Sequence, residues 1–87
     1  MEKEISDEIR IFFARSKLRL EILKALGEKP QIASFLGHKL KRHREVISRI
    51  FLDLQKIGLA ICKNPESPNF RYYKITKKGK IVLKELV

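Results

Sequence analysis

The hydrophobic period changes once along this 87-residue chain, at Gly58, and that change constrains the fold more than any other feature. Before it, Ile47, Ile50, Phe51, Leu54 and Ile57 recur at the spacing of one helical face. After it, Leu59 and Ile61 alternate with Ala60 and Cys62 at the two-residue spacing of a strand. Gly58 sits where a left-handed residue closes a last helical turn. The sequence therefore predicts a helix from Arg44 to Ile57, started by His43 and followed without a linker by a strand. Asn64-Pro-Glu-Ser-Pro-Asn69 supplies turn chemistry, and Phe70 to Ile75 is a second strand rich in aromatic and β-branched residues. Thr76 caps a last helix with Val82, Leu83 and Leu86 on its inner side.

The N-terminal half reads as helical. Within residues 3–13, Ile5, Ile9 and Phe12 with Phe13 beside them form an apolar stripe. Ser16 caps a second helix ending near Gly27, with Leu18, Ile22, Ala25 and Leu26 on one face and Leu20 and Leu23 nearly opposite. A helix apolar on two sides must be covered on two sides, and the first helix is the available second cover. Pro30 ends that helix. Gln31-Ile32-Ala33 reads as a short extended link, and Ser34 caps a helix from Phe35 to Leu40. The whole is one domain over 1–87, with 1–15 an N-terminal helical segment and 16–87 the core. The predicted class is mainly α with a small β-hairpin, an α+β fold.

The longest uninterrupted apolar runs, Ile11 to Ala14 and Leu59 to Cys62, have four residues each. A bilayer span needs about 18, so no membrane segment is expected. Met1-Glu-Lys-Glu-Ile5 is acidic where a secretory leader is cationic. The lone cysteine, Cys62, builds neither a disulfide framework nor a cysteine-rich zinc site. A cytoplasmic location is the expectation.

Charge is the second strong constraint. The formal net charge is +10, yet residues 1–14 carry two Lys/Arg against four acids. Residues 15–29, 30–56 and 57–87 are net +3, +4 and +5. The excess avoids the first helix and builds toward the C-terminus, which fits a polyanionic partner. A solubilising lysine-rich surface is the plainer alternative.

This order of elements, with a tight connection between a short helix and a longer one and a hairpin immediately after, resembles the winged helix-turn-helix regulators of ArsR/MarR type. Ser34 to Arg49 lies without a gap on the family pattern Ser-x-Leu-Ala-x-x-Leu-Gly-φ-Ser-x-x-x-Val-Ser-Arg. Leu36, Leu40 and Ile47 fall at its buried positions and Ser48-Arg49 on its Ser-Arg pair. Leu54 to Ala60 is similar to the Leu-x-x-x-Gly-Leu-Val that ends the recognition helix. Tyr72 to Gly79 is similar to the Tyr-x-Ile/Leu-Thr-x-x-Gly that closes the wing. The chain departs in two places: Gly37 stands where Ala is usual, and Lys41-Arg42 replaces a glycine and an apolar residue in the turn. The resemblance implies a sequence-specific regulator that binds double-stranded DNA, with helix 44–57 in the major groove and wing 59–75 on the backbone or minor groove.

Physical chemistry assigns the contacts. A helix of about 14 residues is roughly 21 Å long and fits a major groove about 12 Å wide. Arg44 and Arg49 carry guanidinium forks that pair with guanine O6 and N7, and Ser48 suits phosphates or base edges. Glu45 accepts from cytosine N4 or, more simply, relieves charge. Leu52 reads as a packing residue before a thymine-methyl contact. Lys41, Arg42 and His43 edge the same surface. Lys63, Arg71 and Lys74 reach phosphates from the hairpin, Tyr72 faces outward, and Tyr73 and Ile75 face the core. Lys77, Lys78 and Lys80 add to the field from a solvated helix start.

No nucleophile context, phosphate loop or cofactor motif is present, so an enzyme is not expected. His38 and His43, five apart and without a neighbouring cysteine, do not make a metal site. The stripe Ile5, Ile9, Phe12 and Phe13 with Leu20 and Leu23 predicts a homodimer reading two half-sites about 34 Å apart. The alternative is that the stripe only covers its own second helix. A winged-helix protein-interaction module of a larger transcription or RNA-processing assembly, suited by outward Leu52 and Tyr72, is the competing function, and an RNA-binding adaptor the next.

Overall fold

The computed structural model describes residues 5–87, and its first helix begins on a serine. Ser6 Oγ accepts the backbone N–H of Ile9 at 3.2 Å, and Asp7 and Glu8 place negative charge in the first turn of α1 (Asp7–Ala14). Helix α2 (Lys17–Glu28) follows at once, with Ile22, Leu23 and Leu26 buried. It touches α1 on one side and the later elements on the other, as its two apolar faces require.

After Pro30 the chain extends as β1 (Gln31–Ile32). The sequence marks this as a link; the structure makes it a strand, because its partner lies some forty residues away. Gln31 is buried, and its side-chain Nε2 donates to the Ala25 carbonyl at 3.0 Å. Helix α3 (Ala33–Leu40) starts two residues earlier than expected, and Ser34 lies inside its first turn and does not cap it.

The turn after α3 is closed by backbone alone. Lys41 is left-handed (φ 59°, ψ 46°), its N–H reaches the His38 carbonyl at 3.3 Å, and the Arg42 N–H reaches the Gly37 carbonyl at 2.8 Å. A Cβ on Gly37 would stand 2.8 Å from the Arg42 carbonyl oxygen, so the turn folds back onto the helix where no side chain intervenes. Helix α4 (Arg44–Lys56) runs next, with His43 at its N-cap position but no side-chain cap bond. It ends by the same device: Gly58 has φ +81°, its N–H bonds Gln55, and the Leu59 N–H bonds the Leu54 carbonyl at 2.8 Å.

Strands β2 (Ala60–Cys62) and β3 (Tyr72–Ile75) pair antiparallel, with Ala60 opposite Ile75, Ile61 opposite Lys74 and Cys62 opposite Tyr73. Strand β1 adds to the other edge of β3, giving the order β1-β3-β2. Ile61 is exposed and Ala60 faces the core, because Leu59 is held in the helix closure and the strand begins one residue later than the alternation suggests. Thr76 Oγ1 accepts the Gly79 N–H at 3.0 Å, starting α5 (Lys77–Leu86), and donates to the Gly58 carbonyl at 2.6 Å. The described residues thus form five helices and one small three-stranded antiparallel sheet, an α+β arrangement. Leu36, Ile47, Phe51, Leu54 and Leu59 join the buried side of α2 in one core, and the Phe51 and Tyr73 rings stand 4.8 Å apart. Among the described residues, no helix is long and apolar enough to cross a membrane.

Candidate nucleic-acid interface

Helix α4 buries Ile47, Ile50, Phe51 and Leu54, and this fixes what it shows to solvent. Arg44, Glu45, Ser48, Arg49 and Leu52 are all exposed on the other side. Leu52 is 53% exposed, so the packing role expected for it is not what the structure shows. The turn residues Lys41, Arg42 and His43 are exposed at the start of the same helix.

The second wall is the loop between β2 and β3, which is held by its own polar side chains. Asn64 Oδ1 accepts the Tyr72 N–H at 2.8 Å, and Asn64 Nδ2 donates to the Phe70 carbonyl at 3.1 Å. Arg71 Nε donates to the Ser67 carbonyl at 2.8 Å, and the Ser67 hydroxyl donates to the Asn69 carbonyl. Phe70 and Arg71, expected in the strand, therefore belong to the loop. Phe70 has φ +52°, a conformation that costs a side chain of this kind on the order of 1 kcal/mol. Its ring is 71% exposed.

Between these walls runs a groove of about 530 Å³. Arg44, Glu45, Ser48 and Leu52 line it from α4, Phe70 and Arg71 from the loop, and Ser34 from α3. The structure thus brings Arg44, Glu45, Ser48 and Arg71 around one opening. Lys41, Arg42 and His43 instead border a separate depression of about 700 Å³ with Leu18, Gly37, His38 and Val46. Arg49, Lys63 and Lys74 are exposed and line neither. Lys74 shares the outer face of the sheet with Ile61, its cross-strand partner. No family model, curated protein or solved structure matches the chain.

Buried Tyr73 backs the groove, and burial raises its phenol above the ordinary value; the neighbouring Cys62 pushes the same way, and Arg71 partly offsets both. Cys62 is a free thiol, half-buried, with Sγ 3.9 Å from Asn64 Oδ1. Among the described residues, no three of His, Cys, Asp and Glu gather as a metal site.

The stripe expected at a dimer contact packs, in whole or in part, within a single copy. Ile5, Ile9, Phe13 and Leu23 are buried within a single copy, and Phe12 and Leu20 pack partly buried against the core. Phe12 meets the Phe13 ring edge-on at 5.0 Å, and the Arg19 guanidinium lies 4.1 Å above it while donating to the Phe12 carbonyl. Phe70, Asn69 and Ser34 were not marked as site residues by the sequence. The Asn64–Asn69 turn run was the available signal that the loop extends as far as Phe70.

Proposed function

We propose that the chain is a winged helix-turn-helix protein that binds double-stranded DNA, with α3 and α4 as the helix pair and the β2–β3 hairpin as the wing. The observation that carries this reading is the groove with Arg44 on one wall and Arg71 on the other, in a chain of net charge +10. A 13-residue helix is about 20 Å long and suits the major groove lengthwise. With α4 seated there, its exposed arginines meet base edges, and the wing meets the adjoining sugar–phosphate strand. Transcriptional regulation is the role such an interface serves best.

The test is a fluorescence anisotropy titration against duplex DNA over a range of salt. With about six phosphates neutralised, log K falls against log salt with a slope near −5. A slope shallower than about −2 overturns the reading.

A second reading, a protein-interaction module, is favoured by one observation. Phe35 and Tyr72, 55% and 42% exposed, line a depression of about 420 Å³ with Pro30 and Ile32, beside Lys29 and Gln31. Its mark is a chain whose Phe35→Ala variant loses a protein partner while duplex affinity stays unchanged.

A further inference from the structure

Phe70 has three properties that the folded chain alone does not require. Its ring is 71% exposed, the backbone beneath it is left-handed at φ +52°, and it borders the groove that also contains Arg44 and Arg71. Left-handed backbone falls mostly to glycine and asparagine, and Asn69 next to it would carry that conformation at lower cost. The loop nonetheless fixes an aromatic there. Asn64 holds the Phe70 carbonyl and the Tyr72 N–H, and Arg71 Nε bonds back to Ser67. On the preceding side the Ser67 hydroxyl donates to the Asn69 carbonyl, so both flanks of Phe70 are tied and the ring stands on a braced platform.

We propose that Phe70 is a stacking wedge that enters the minor groove, unstacks one base step and kinks the duplex. This rests on the DNA reading above. One sugar–phosphate strand separates the major groove from the adjoining minor groove, so with α4 in the former that strand passes along the groove between α4 and the loop. The ring on the loop side then falls on the minor-groove side of the strand. Arg44 and Arg71 on opposite walls favour a polyanion over an apolar peptide as the occupant. Apolar side chains such as phenylalanine are what minor-groove proteins insert between base steps, and pyrimidine–purine steps open most easily. The wedge therefore selects a TA or CA/TG step flanking the segment that α4 reads.

The experiment uses the full chain and a duplex enriched from a random pool by the wild-type protein, end-labelled for energy transfer, with 2-aminopurine at the flanking pyrimidine–purine step. Wild type raises end-to-end transfer and increases 2-aminopurine emission several-fold. Phe70→Ala abolishes both and weakens binding about tenfold, Phe70→Trp retains both, and Lys41→Gly, in the turn before α4 and away from the loop, weakens binding but leaves the bend. Because the ring is exposed, unchanged far-ultraviolet circular dichroism certifies the variants' fold. A bound but straight duplex, with Phe70→Ala within twofold of wild type, overturns the wedge and leaves the DNA reading standing. A preference for single-stranded DNA that Phe70→Ala removes also overturns it, because the ring then stacks on an unpaired base. No enrichment and no anisotropy change on any duplex overturns both.

Discussion

Arg42 folds back onto Gly37: its N–H donates to the Gly37 carbonyl at 2.8 Å, and its own carbonyl would stand 2.8 Å from any Cβ added at Gly37. Helix propensity and packing therefore oppose each other at one residue. Alanine at 37 would favour α3 by roughly 1 kcal/mol, but it would press on backbone that is bonded in place. Gly37→Ala is expected to destabilise the fold by about 1–3 kcal/mol, the usual cost of overpacking. Urea denaturation reads this directly, and a midpoint equal to or above wild type would mean that the turn yields freely.

Lys41 is the left-handed residue of the same turn. Lys41→Gly removes a steric cost of order 1 kcal/mol and raises the unfolding midpoint. It also removes a cation beside α4, so duplex affinity falls on all sequences and the salt slope loses about one unit. Stability and binding moving together in either direction would contradict this assignment.

Arg44 and Arg49 differ from Arg71 in where they stand, on the outward face of α4 and on the hairpin loop. In a competition between a selected duplex and scrambled DNA, Arg44→Ala and Arg49→Ala reduce the preference by roughly 1–3 kcal/mol each. Arg71→Ala weakens both duplexes alike, because phosphate contacts carry no base information. Equal losses on both duplexes for Arg49→Ala would take it off the reading face.

Ile9 is 8% exposed in a single copy, and Phe13 is 6%. Ile9→Asp places an unpaired carboxylate under α1 and is expected to cost several kcal/mol in folding. Circular dichroism and sedimentation equilibrium over a hundredfold concentration range separate this from an effect on association. Helicity lost to the same extent at every concentration is the expected result; a folded chain whose mass alone drops would return the stripe to an interface.

How far the sequence could be read depended on whether the deciding interaction was local. Gly58 ends α4 and Thr76 begins α5 through bonds three to five residues away, and both were legible. Tyr73 and Ile75 face the core as their alternation indicates. Gln31 looked like a linker residue because its strand partner, Tyr73, is distant in sequence. The alternation of Leu59 and Ile61 with Ala60 and Cys62 does not say which residues face inward, because nothing near them reveals that the Leu59 N–H is taken by Leu54. Phe70 read as strand because β propensity belongs to the residue, whereas the bonds that hold it in a loop come from Asn64. The basic residues were legible as a set, but which of them share a groove depended on where that loop folds back.

The bonds that close the ends of α4 run from Val46 and Ile47 to His43 at its start and from Gly58 to Gln55 and Leu59 to Leu54 at its end, with Lys78 Nζ and Thr76 Oγ1 of the α5 segment donating to the Ile57 and Gly58 carbonyls. The helix therefore takes neither its boundaries nor its seat from the side chains at positions 44, 45, 48, 49 and 52. The side chains that fold this helix and those that it presents to solvent lie on opposite sides of one element. A protein built this way can exchange its outward residues one at a time and acquire new preferences while its melting behaviour scarcely moves, which makes that face a natural substrate for divergence and for redesign.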